Sequence, residues 1–335
     1  MIAAPVVAVV GATGAAGSML LRVLGERKFP LAALRVLASE RSAGTHLQTP
    51  CGDLTVRAVS DDELRGADIV FFAAGSGTSR RYAPRVAGGG GVAVDKSSAY
   101  RMDPAVPLVV PEVNAHSLRE HHGIVANPNC VAIPLAVVLA PLHRAFGVRH
   151  VTAATYQAAS GAGRDLVAEL ATQQADDAQG RPPQARVYPH VLHGNVVPGG
   201  WAMQGDDTEE EVKVVAETRR VLDLPSLPIS ITTVRVPVVA GHSVALWVEL
   251  ASPASADEAR AALAAAAGTV VDDDASAQRY PTPRSVAGSD QVHVGRVRAD
   301  PSREHGLALF VVADNLRKGA ATNAVQVAEL LLGVR

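Results

Sequence analysis

The sequence predicts an α/β protein with a doubly wound parallel sheet, followed by an α+β region with one large, mostly antiparallel or mixed sheet. Three observations lead to this prediction. The apolar run Val6–Val10 leads directly into a glycine-rich turn and a helical pattern, as expected of a strand covered on both faces. Strand-like and helical stretches alternate to about residue 128. Beyond residue 130, long β-branched runs dominate.

The first half contains further apolar runs of strand length. Strands are predicted at residues 34–37, 68–74, 92–94 and 108–110, and a helix at residues 79–86. We expect residues 1–128 to form one domain.

The second half alternates less regularly. Helices are predicted at residues 131–146 and 164–174, and a third begins near Thr208, with acids in its first turn and arginines near its end. The predicted strands lie at residues 151–159, 231–239, 244–250, 292–297 and 307–312.

Two segments complete the predicted organisation. Residues 180–201 are rich in Pro, Gly and His, which favours a long ordered loop with a function, although a disordered insert is the alternative. The amphipathic segment 316–332 predicts a final helix that returns to the first domain. The expected domains are therefore residues 1–128 with 315–335, and residues 129–314.

Composition excludes several classes of protein. A chain of 335 residues with a net charge of −2 is a folded two-domain protein by length and lacks the basic surplus of a nucleic-acid binder. The longest nearly apolar run, residues 131–142, contains two prolines and is too short to cross a membrane. We expect a cytoplasmic protein without a membrane partner. Two cysteines and scattered histidines predict neither a disulfide framework nor a metal site.

The glycine-rich turn suggests a phosphate ligand. Gly11, Gly14 and Gly17 stand between a strand and a helix, where backbone N–H groups and the helix N-terminus bind a pyrophosphate. A purely structural turn is the alternative. After the second strand, Arg41 and Ser42 suit a 2′-phosphate and favour NADP, although the neighbouring glutamate keeps NAD possible. The first domain is therefore predicted to be Rossmann-like and to bind a dinucleotide.

Cys130 follows an apolar run and precedes a helix. A helix N-terminus stabilises a thiolate, which makes this cysteine a candidate nucleophile. A buried structural cysteine is the alternative.

Five motifs in one order resemble aspartate-β-semialdehyde dehydrogenase over nearly the whole chain. They are residues 11–14 (GATG), 127–130 (NPNC), 156–163 (YQAASGAG), 235–243 (RVPVVAGHS) and 314–324 (DNLRKGAATNA). The resemblance implies an NADP-dependent enzyme that interconverts L-aspartyl-4-phosphate and L-aspartate 4-semialdehyde with phosphate. It also implies a homodimer built largely on the sheet of the second domain. The implied role is in the biosynthesis of lysine, diaminopimelate, threonine, methionine and isoleucine.

The resemblance also implies a role for each matching residue. Cys130 would form an acyl-thioester, His242 would be the general acid/base, and Gln157 would orient the acyl group. Arg235 would bind the substrate carboxylate. Taken singly, the last three could be ordinary polar residues of a sheet.

Further residues would bind the ammonium, the phosphate and the cofactor. Glu210 would meet the ammonium and Lys213 the phosphate, unless the two form a solvated ion pair on one helix face. Arg101 would bind phosphate with Asn129. The cofactor contacts implied by turn and motif are Gly11, Thr13, Gly14, Ala15, Ala16, Arg41, Ser42, Ser160, Gly161 and Asn315. Asn315 could also cap the last helix.

The chain departs from the family pattern at two places. Lys96 stands where the family usually has Asn, and Val131-Ala132 where it usually has Ser-Thr.

Two other functions stay open. N-acetyl-γ-glutamyl-phosphate reductase has similar chemistry, but Glu210 would match a free ammonium better than an acetylated amine. A non-catalytic nucleotide-binding paralogue is the other alternative.

Overall fold

The computed structural model describes residues 4–334. It divides into two compact units. One holds the described residues up to Asn129 together with those from Ala320 onward, and the other holds Cys130–Gly319.

The first unit is built on a six-stranded parallel sheet with strand order β5-β2-β1-β6-β7-β8. A separate two-stranded antiparallel hairpin is formed by β3 and β4. The strands are β1 (Val6–Val10), β2 (Ala33–Ala38), β3 (His46–Thr49), β4 (Gly52–Thr55), β5 (Arg57–Ala58), β6 (Ile69–Phe72), β7 (Val92–Asp95) and β8 (Ile124–Ala126). The helices are α1 (Ala15–Glu26), α2 (Asp61–Leu64), α3 (Ser76–Gly88) and α4 (Pro111–Asn114).

The central strand explains the unbroken apolar run at the start of the chain. Val7 and Val9 belong to a buried cluster that includes residues of α1, whereas Ala8 and Val10 belong to a second cluster that includes residues of α3. Because both faces of β1 are covered, every side chain from Val7 to Val10 is apolar and buried.

The prediction of a strand at residues 108–110 is wrong. Only one isolated bridge, between Leu108 and Ala126, forms there. The side chain of Asn114 accepts a hydrogen bond from the Val110 N–H and donates one to the Leu108 carbonyl. Pro111 then begins α4. On the side that faces β8, the Val109 carbonyl accepts from Nδ2 of Asn323 and Pro111 has no N–H to donate, so the ladder does not continue.

The second unit contains a six-stranded mixed sheet with strand order β12-β9-β13-β16-β15-β14. Its helices are α5 (Ala132–Phe146), α6 (Arg164–Ala178), α7 (Glu209–Leu222), α8 (Ala256–Ala264) and α9 (Pro283–Val286). Its strands are β9 (Val148–Gln157), β10 (Met203–Gln204), β11 (Asp207–Thr208), β12 (Ile229–Arg235), β13 (His242–Leu250), β14 (Thr269–Val271), β15 (Val292–Asp300) and β16 (Gly306–Ala313). The predicted fold class, a parallel sheet followed by a large mixed sheet, is confirmed.

Two predicted strands end earlier than the sequence pattern suggested. The strand predicted to reach Val239 ends at Arg235, and Pro237, which has no N–H to donate, follows two residues later. The strand predicted to reach Ala159 ends at Gln157, where the chain turns into a 3-10 helix, Ala159–Ala162.

The helix predicted over residues 316–332 is interrupted. Arg317–Ala321 forms a π-helical turn, and α10 covers Thr322–Leu331. The Asp314 carboxylate accepts hydrogen bonds from the N–H groups of Leu316 and Arg317. These bonds cap the start of the segment, and the Gly319 N–H donates to the Asp314 carbonyl five residues earlier, as in a π-helix.

No helix within residues 4–334 combines the length and the apolar character that crossing a membrane requires.

The glycines that connect β1 to α1 differ in how much space they leave for a side chain. A Cβ added at Gly17 would lie 2.1 Å from the Gly11 carbonyl oxygen, whereas one at Gly14 would meet only that oxygen, at 3.4 Å. Gly14 has an extended backbone. Gly17 is therefore required for the helix to pack against the turn, and Gly14 is not.

We predict that Gly17→Ala lowers the free energy of unfolding by about 2 kcal/mol or more. Gly14→Ala, the matched control, should cost less than about 1 kcal/mol. Urea denaturation of both variants measures the difference. Equal losses would contradict the steric assignment.

Candidate active site

The backbone of Ala158 holds two polar side chains at once. Its N–H donates to Nδ1 of His242 over 3.0 Å, and its carbonyl accepts from Nη1 of Arg235 over 2.8 Å. Arg235 is the last residue of β12 and His242 the first of β13, and both strands are neighbours of β9, which ends at Gln157. Because β12 runs parallel and β13 antiparallel to β9, these strand ends meet at one edge of the sheet.

The hydrogen bond from Ala158 determines where the proton of His242 lies. Since Nδ1 accepts a hydrogen bond, the neutral ring carries its proton on Nε2. Burial, aided by the charge of Arg235, holds the pKa of His242 well below its usual 6.5. The buried Nε2 atom has no hydrogen-bond partner among the described residues. His242 is thus a neutral imidazole that presents an unused N–H donor.

Arg235 presents a second unused donor. Its side chain is 2% exposed, and its Nε has no hydrogen-bond partner among the described residues. Within residues 4–334 no carboxylate forms an ion pair with it. The guanidinium carbon instead lies 4.6 Å from the ring centroid of Trp201 and 5.8 Å from that of Tyr188. A buried cation without a carboxylate is suited to an anionic ligand.

Gly161 lies directly against both side chains. A Cβ at this position would stand 3.0 Å from Nη1 of Arg235 and 3.0 Å from both Cε1 and Nε2 of His242. Gly161 itself is exposed. The lack of a side chain therefore keeps open the space beside Nε2 of His242 and Nη1 of Arg235.

A second polar group lies beside this pair. The Gln157 amide donates to Oε1 of Glu210 over 3.2 Å and to the Thr155 hydroxyl over 3.4 Å. Glu210 is buried on α7. Lys213 pairs instead with Glu209, its Nζ lying 3.1 Å from Oε2. The predicted i, i+3 partners Glu210 and Lys213 thus have different neighbours.

Asn315 joins two segments of the second unit. Its Nδ2 donates to the Ser160 hydroxyl over 3.0 Å, and its Oδ1 accepts from the Gly241 N–H over 2.9 Å. The capping role that the sequence allowed for Asn315 is taken by the preceding Asp314. Asn315 therefore holds Ser160 near the residue that precedes His242.

Cys130 directly precedes Val131, the N-cap of α5, which agrees with the predicted helix N-terminus. The π-helical turn lies against it, because a Cβ at Gly319 would meet Cβ of Cys130 at 3.2 Å and its carbonyl oxygen at 3.1 Å. Val131 and Ala132 are fully buried. The two apolar departures from the family pattern therefore lie in the core at the start of α5.

In the first unit, Arg101 is fixed by backbone carbonyls. Its Nε donates to the Asn127 carbonyl over 3.0 Å and its Nη2 to the Lys96 carbonyl over 2.6 Å. Lys96 thus contributes its backbone, which any residue type could supply. Asn129 is also buried.

The same unit has the features that a dinucleotide needs. Gly14 is the N-cap of α1 and provides no side-chain cap, so the first-turn N–H groups of Ala15 and Ala16 are available to a phosphate. Thr13 is half-buried and Gly14 exposed. Arg41 and Ser42 form a 3-10 turn after β2, and Arg41 is exposed. The N–H groups of Gly11 and Ala12 bind the carbonyl of Leu37, near the end of β2.

Sequence reasoning missed three contributors to the site. Ala158 acts through its backbone N–H and carbonyl, which any residue type other than proline could supply. Tyr188 and Trp201 lie within the loop predicted to be functional, yet nothing in the sequence connects them to Arg235. Their aromatic character, close to Gly199-Gly200, is the only local indication.

Comparisons with known proteins agree with these features. Residues 6–121 match a family model described as semialdehyde dehydrogenase, NAD binding domain, and residues 139–318 match semialdehyde dehydrogenase, dimerisation domain. An aspartate-semialdehyde dehydrogenase of Synechocystis sp. is 44% identical over 97% of this chain and 97% of its own. One from Legionella pneumophila is 44% identical over 97% and 95%. The crystal structure of aspartate semialdehyde dehydrogenase II complexed with ASA from Vibrio cholerae has a TM-score of 0.95 at 40% identity, covering 98% of each chain.

The lowered pKa of His242 predicts a pH dependence of stability. The unfolded imidazole binds a proton below about pH 6.5, but the folded one does so only at lower pH. Stability therefore falls as the pH drops through this window. Between about pH 7.5 and about pH 5.5, the native chain should lose about 1 kcal/mol more than His242→Asn.

Urea unfolding at one fixed protein concentration measures both losses. An equal pH dependence in the two proteins would contradict the burial of a neutral imidazole.

Proposed function

Because this chain belongs to the aspartate-semialdehyde dehydrogenase family, we propose that it interconverts L-aspartyl-4-phosphate and L-aspartate 4-semialdehyde with NADP, through a thioester on Cys130. The observation that carries the proposal is the pair of buried N–H donors, on Arg235 and His242, that Ala158 holds together. The Arg235 donor suits a carboxylate, and the His242 donor suits a carbonyl oxygen.

The substrate is bound through its charged groups. The guanidinium of Arg235 binds the α-carboxylate, whose negative charge compensates the buried cation. The Glu210 carboxylate accepts a hydrogen bond from the substrate ammonium. It also accepts one from the Gln157 amide, which fixes the position of that amide. Gln157 in turn orients the acyl group, since an amide cannot compete as a nucleophile. A neutral acetylated amine carries no charge for the Glu210 carboxylate to attract, which favours aspartate over the N-acetylglutamyl substrate.

The reaction forms and breaks one bond at Cys130. The thiolate attacks the acyl carbon of the acyl phosphate, the carbon–sulfur bond forms, and inorganic phosphate leaves with the electron pair of the broken carbon–oxygen bond. The cofactor, when bound, supplies the hydride that takes the acyl group to the aldehyde level. The His242 Nε2–H donates to the substrate oxygen on which charge develops. Loss of the carbon–sulfur bond then releases the aldehyde and restores the cysteine.

Phosphate is held by Arg101, with Asn129 and Lys213 as further contacts. Arg101 suits this role because two backbone carbonyls fix the direction of its guanidinium. Lys213 forms an ion pair with Glu209 on the same helix, so its ammonium group is positioned before phosphate binds.

NADP is the cofactor that the first unit fits best. The turn Gly11, Thr13, Gly14 with Ala15 and Ala16 holds the pyrophosphate. Arg41 and Ser42 bind the 2′-phosphate, for which an exposed guanidinium and a neighbouring hydroxyl are suited. Ser160, Gly161 and Asn315 contact the nicotinamide end. This activity places the enzyme in the biosynthesis of lysine, diaminopimelate, threonine, methionine and isoleucine, in the cytoplasm.

The functional form is a homodimer joined through the second unit. Alternate residues of its sheet leave an apolar strip on one face, where Ala245 pairs with Ala154 and with Phe310. Trp247 is half-buried on that face, and Tyr156 is exposed and contacts Phe310 with ring centroids 6.3 Å apart. An apolar strip of this kind is suited to pairing with a second copy.

We predict phosphate-dependent reduction of NADP when the protein is given L-aspartate 4-semialdehyde. Turnover should be far slower with NAD or with N-acetylglutamate semialdehyde. Cys130→Ser should lower kcat by at least about 10³-fold while leaving the fold unchanged, because the hydroxyl is a weaker nucleophile. Absorbance of the reduced cofactor measures each rate, and circular dichroism checks the variant.

Cys51, which is exposed on a hairpin turn, provides the matched control. Cys51→Ser should turn over at the native rate. Activity only on the acetylated substrate would transfer the assignment to the reductase. Cofactor binding without turnover on either substrate would identify a non-catalytic paralogue.

A further inference from the structure

The segment between α6 and β10, residues 179–202, is tied to the fold by buried polar side chains; we name it the tethered loop. The Glu169 carboxylate, 8% exposed, accepts backbone N–H groups of Arg186, Val187 and Tyr188 over 2.6 to 3.3 Å. One turn later on α6, the Gln173 side chain accepts the N–H groups of residues 192 and 193. A charged carboxylate is buried here only because three backbone donors satisfy it.

The far part of the tethered loop is paired with the strand that ends in Arg235. Val197 and Arg235 exchange both backbone hydrogen bonds, over 2.9 and 2.8 Å. The loop is therefore fixed to α6 at one end and to β12 at the other. At both points the bonds use backbone groups of the loop.

A double-glycine turn brings two aromatic rings to Arg235. Gly200 has a φ of +87°, and a Cβ there would lie 2.1 Å from the Tyr188 hydroxyl oxygen. That hydroxyl donates to the Gly199 carbonyl. The turn thus contacts the Tyr188 hydroxyl. It also places the next residue, Trp201, with its ring centroid 4.6 Å from the guanidinium carbon of Arg235.

We propose that Tyr188 and Trp201 form an aromatic clamp that positions Arg235 to bind the substrate carboxylate through the edge that carries Nε. The inference rests on the proposed function. Trp201 and Tyr188 are positioning residues, since they act on the substrate through Arg235. They determine how tightly the carboxylate is bound and leave the reacting acyl group unaffected.

The geometry of the guanidinium leads to this edge. Both rings lie near its carbon, where cation–π contacts stabilise the charge. Nη1 is taken by the Ala158 carbonyl. Nε is buried and has no hydrogen-bond partner among the residues of the described part of the chain. A carboxylate bound along the Nε edge would satisfy this donor while the rings and Ala158 prevent rotation.

Comparing two substrates tests the clamp directly. L-aspartate 4-semialdehyde carries the α-carboxylate, and 3-aminopropanal is the same aldehyde without it. Trp201→Ala should raise KM for the first about tenfold with kcat changed less than about twofold, and should leave kcat/KM for the second unchanged. Trp201→Phe should restore KM to within about threefold of the native value, because a smaller ring still contacts the cation.

Met203→Ala is the matched control, since this side chain lies two residues further on and is 64% exposed. Its KM should equal the native value. Equal losses on both aldehydes in Trp201→Ala would show a general structural role and overturn the clamp, as would an unchanged KM for the semialdehyde.

A binding measurement separates failure of the clamp from failure of the proposed function. In the Cys130→Ser background, calorimetry should find the semialdehyde bound about tenfold more weakly after Trp201→Ala. Binding that is indifferent to Trp201 would overturn the clamp alone. A parent chain that neither binds nor turns over the semialdehyde would overturn the proposed function and the clamp with it.

Discussion

The site in the second unit depends on the backbone of one residue. The N–H and carbonyl of Ala158 are directed to two side chains that enter from two different strands, His242 from β13 and Arg235 from β12. Both bonds are made by the same residue, which directly follows the last residue of β9. The relative position of the imidazole and the guanidinium is thus determined by the backbone conformation of Ala158.

This constraint also determines the charge of the two groups. Arg235 stays a cation, and its proximity together with burial keeps His242 neutral. If the imidazole were protonated, two buried positive charges would face each other across Gly161. The neutral ring with its proton on Nε2 avoids that repulsion and still offers a donor. Preorganised donors of this kind stabilise developing charge without reorganisation during the reaction.

Much of the fold follows from residue patterns, and the exceptions have local causes. The run Val6–Val10 and the capped start of α7 at Thr208 are evident from the sequence, because burial on both faces and helix capping leave direct signals. The segment near Val109 resembles a strand, but the side chain of Asn114 binds its backbone. The final helix begins with a π-helical turn, in which the Gly319 N–H donates to the Asp314 carbonyl five residues earlier. Hydrogen bonds of this kind compete with regular structure and are not visible in hydrophobic periodicity.

The candidate site was predictable to a similar extent. Arg235 and His242 share one motif, so their joint importance is evident, whereas their connection through Ala158 spans 77 and 84 positions and uses only the backbone of that residue. The partner of Lys213 is Glu209 and not Glu210, because Glu210 is buried beside Gln157. The contact of Trp201 with Arg235 depends on the path of a long loop, which is determined by tertiary hydrogen bonds.

The most direct test of this account is nitrogen NMR of the imidazole rings in protein labelled at histidine, with His242→Asn to assign the signal. At neutral pH, we predict a neutral His242 with the proton on Nε2 and none on Nδ1, unchanged as the pH falls through the ordinary histidine range. An imidazolium at neutral pH, or a proton on Nδ1, would contradict the account, because Ala158 could then no longer donate to that ring.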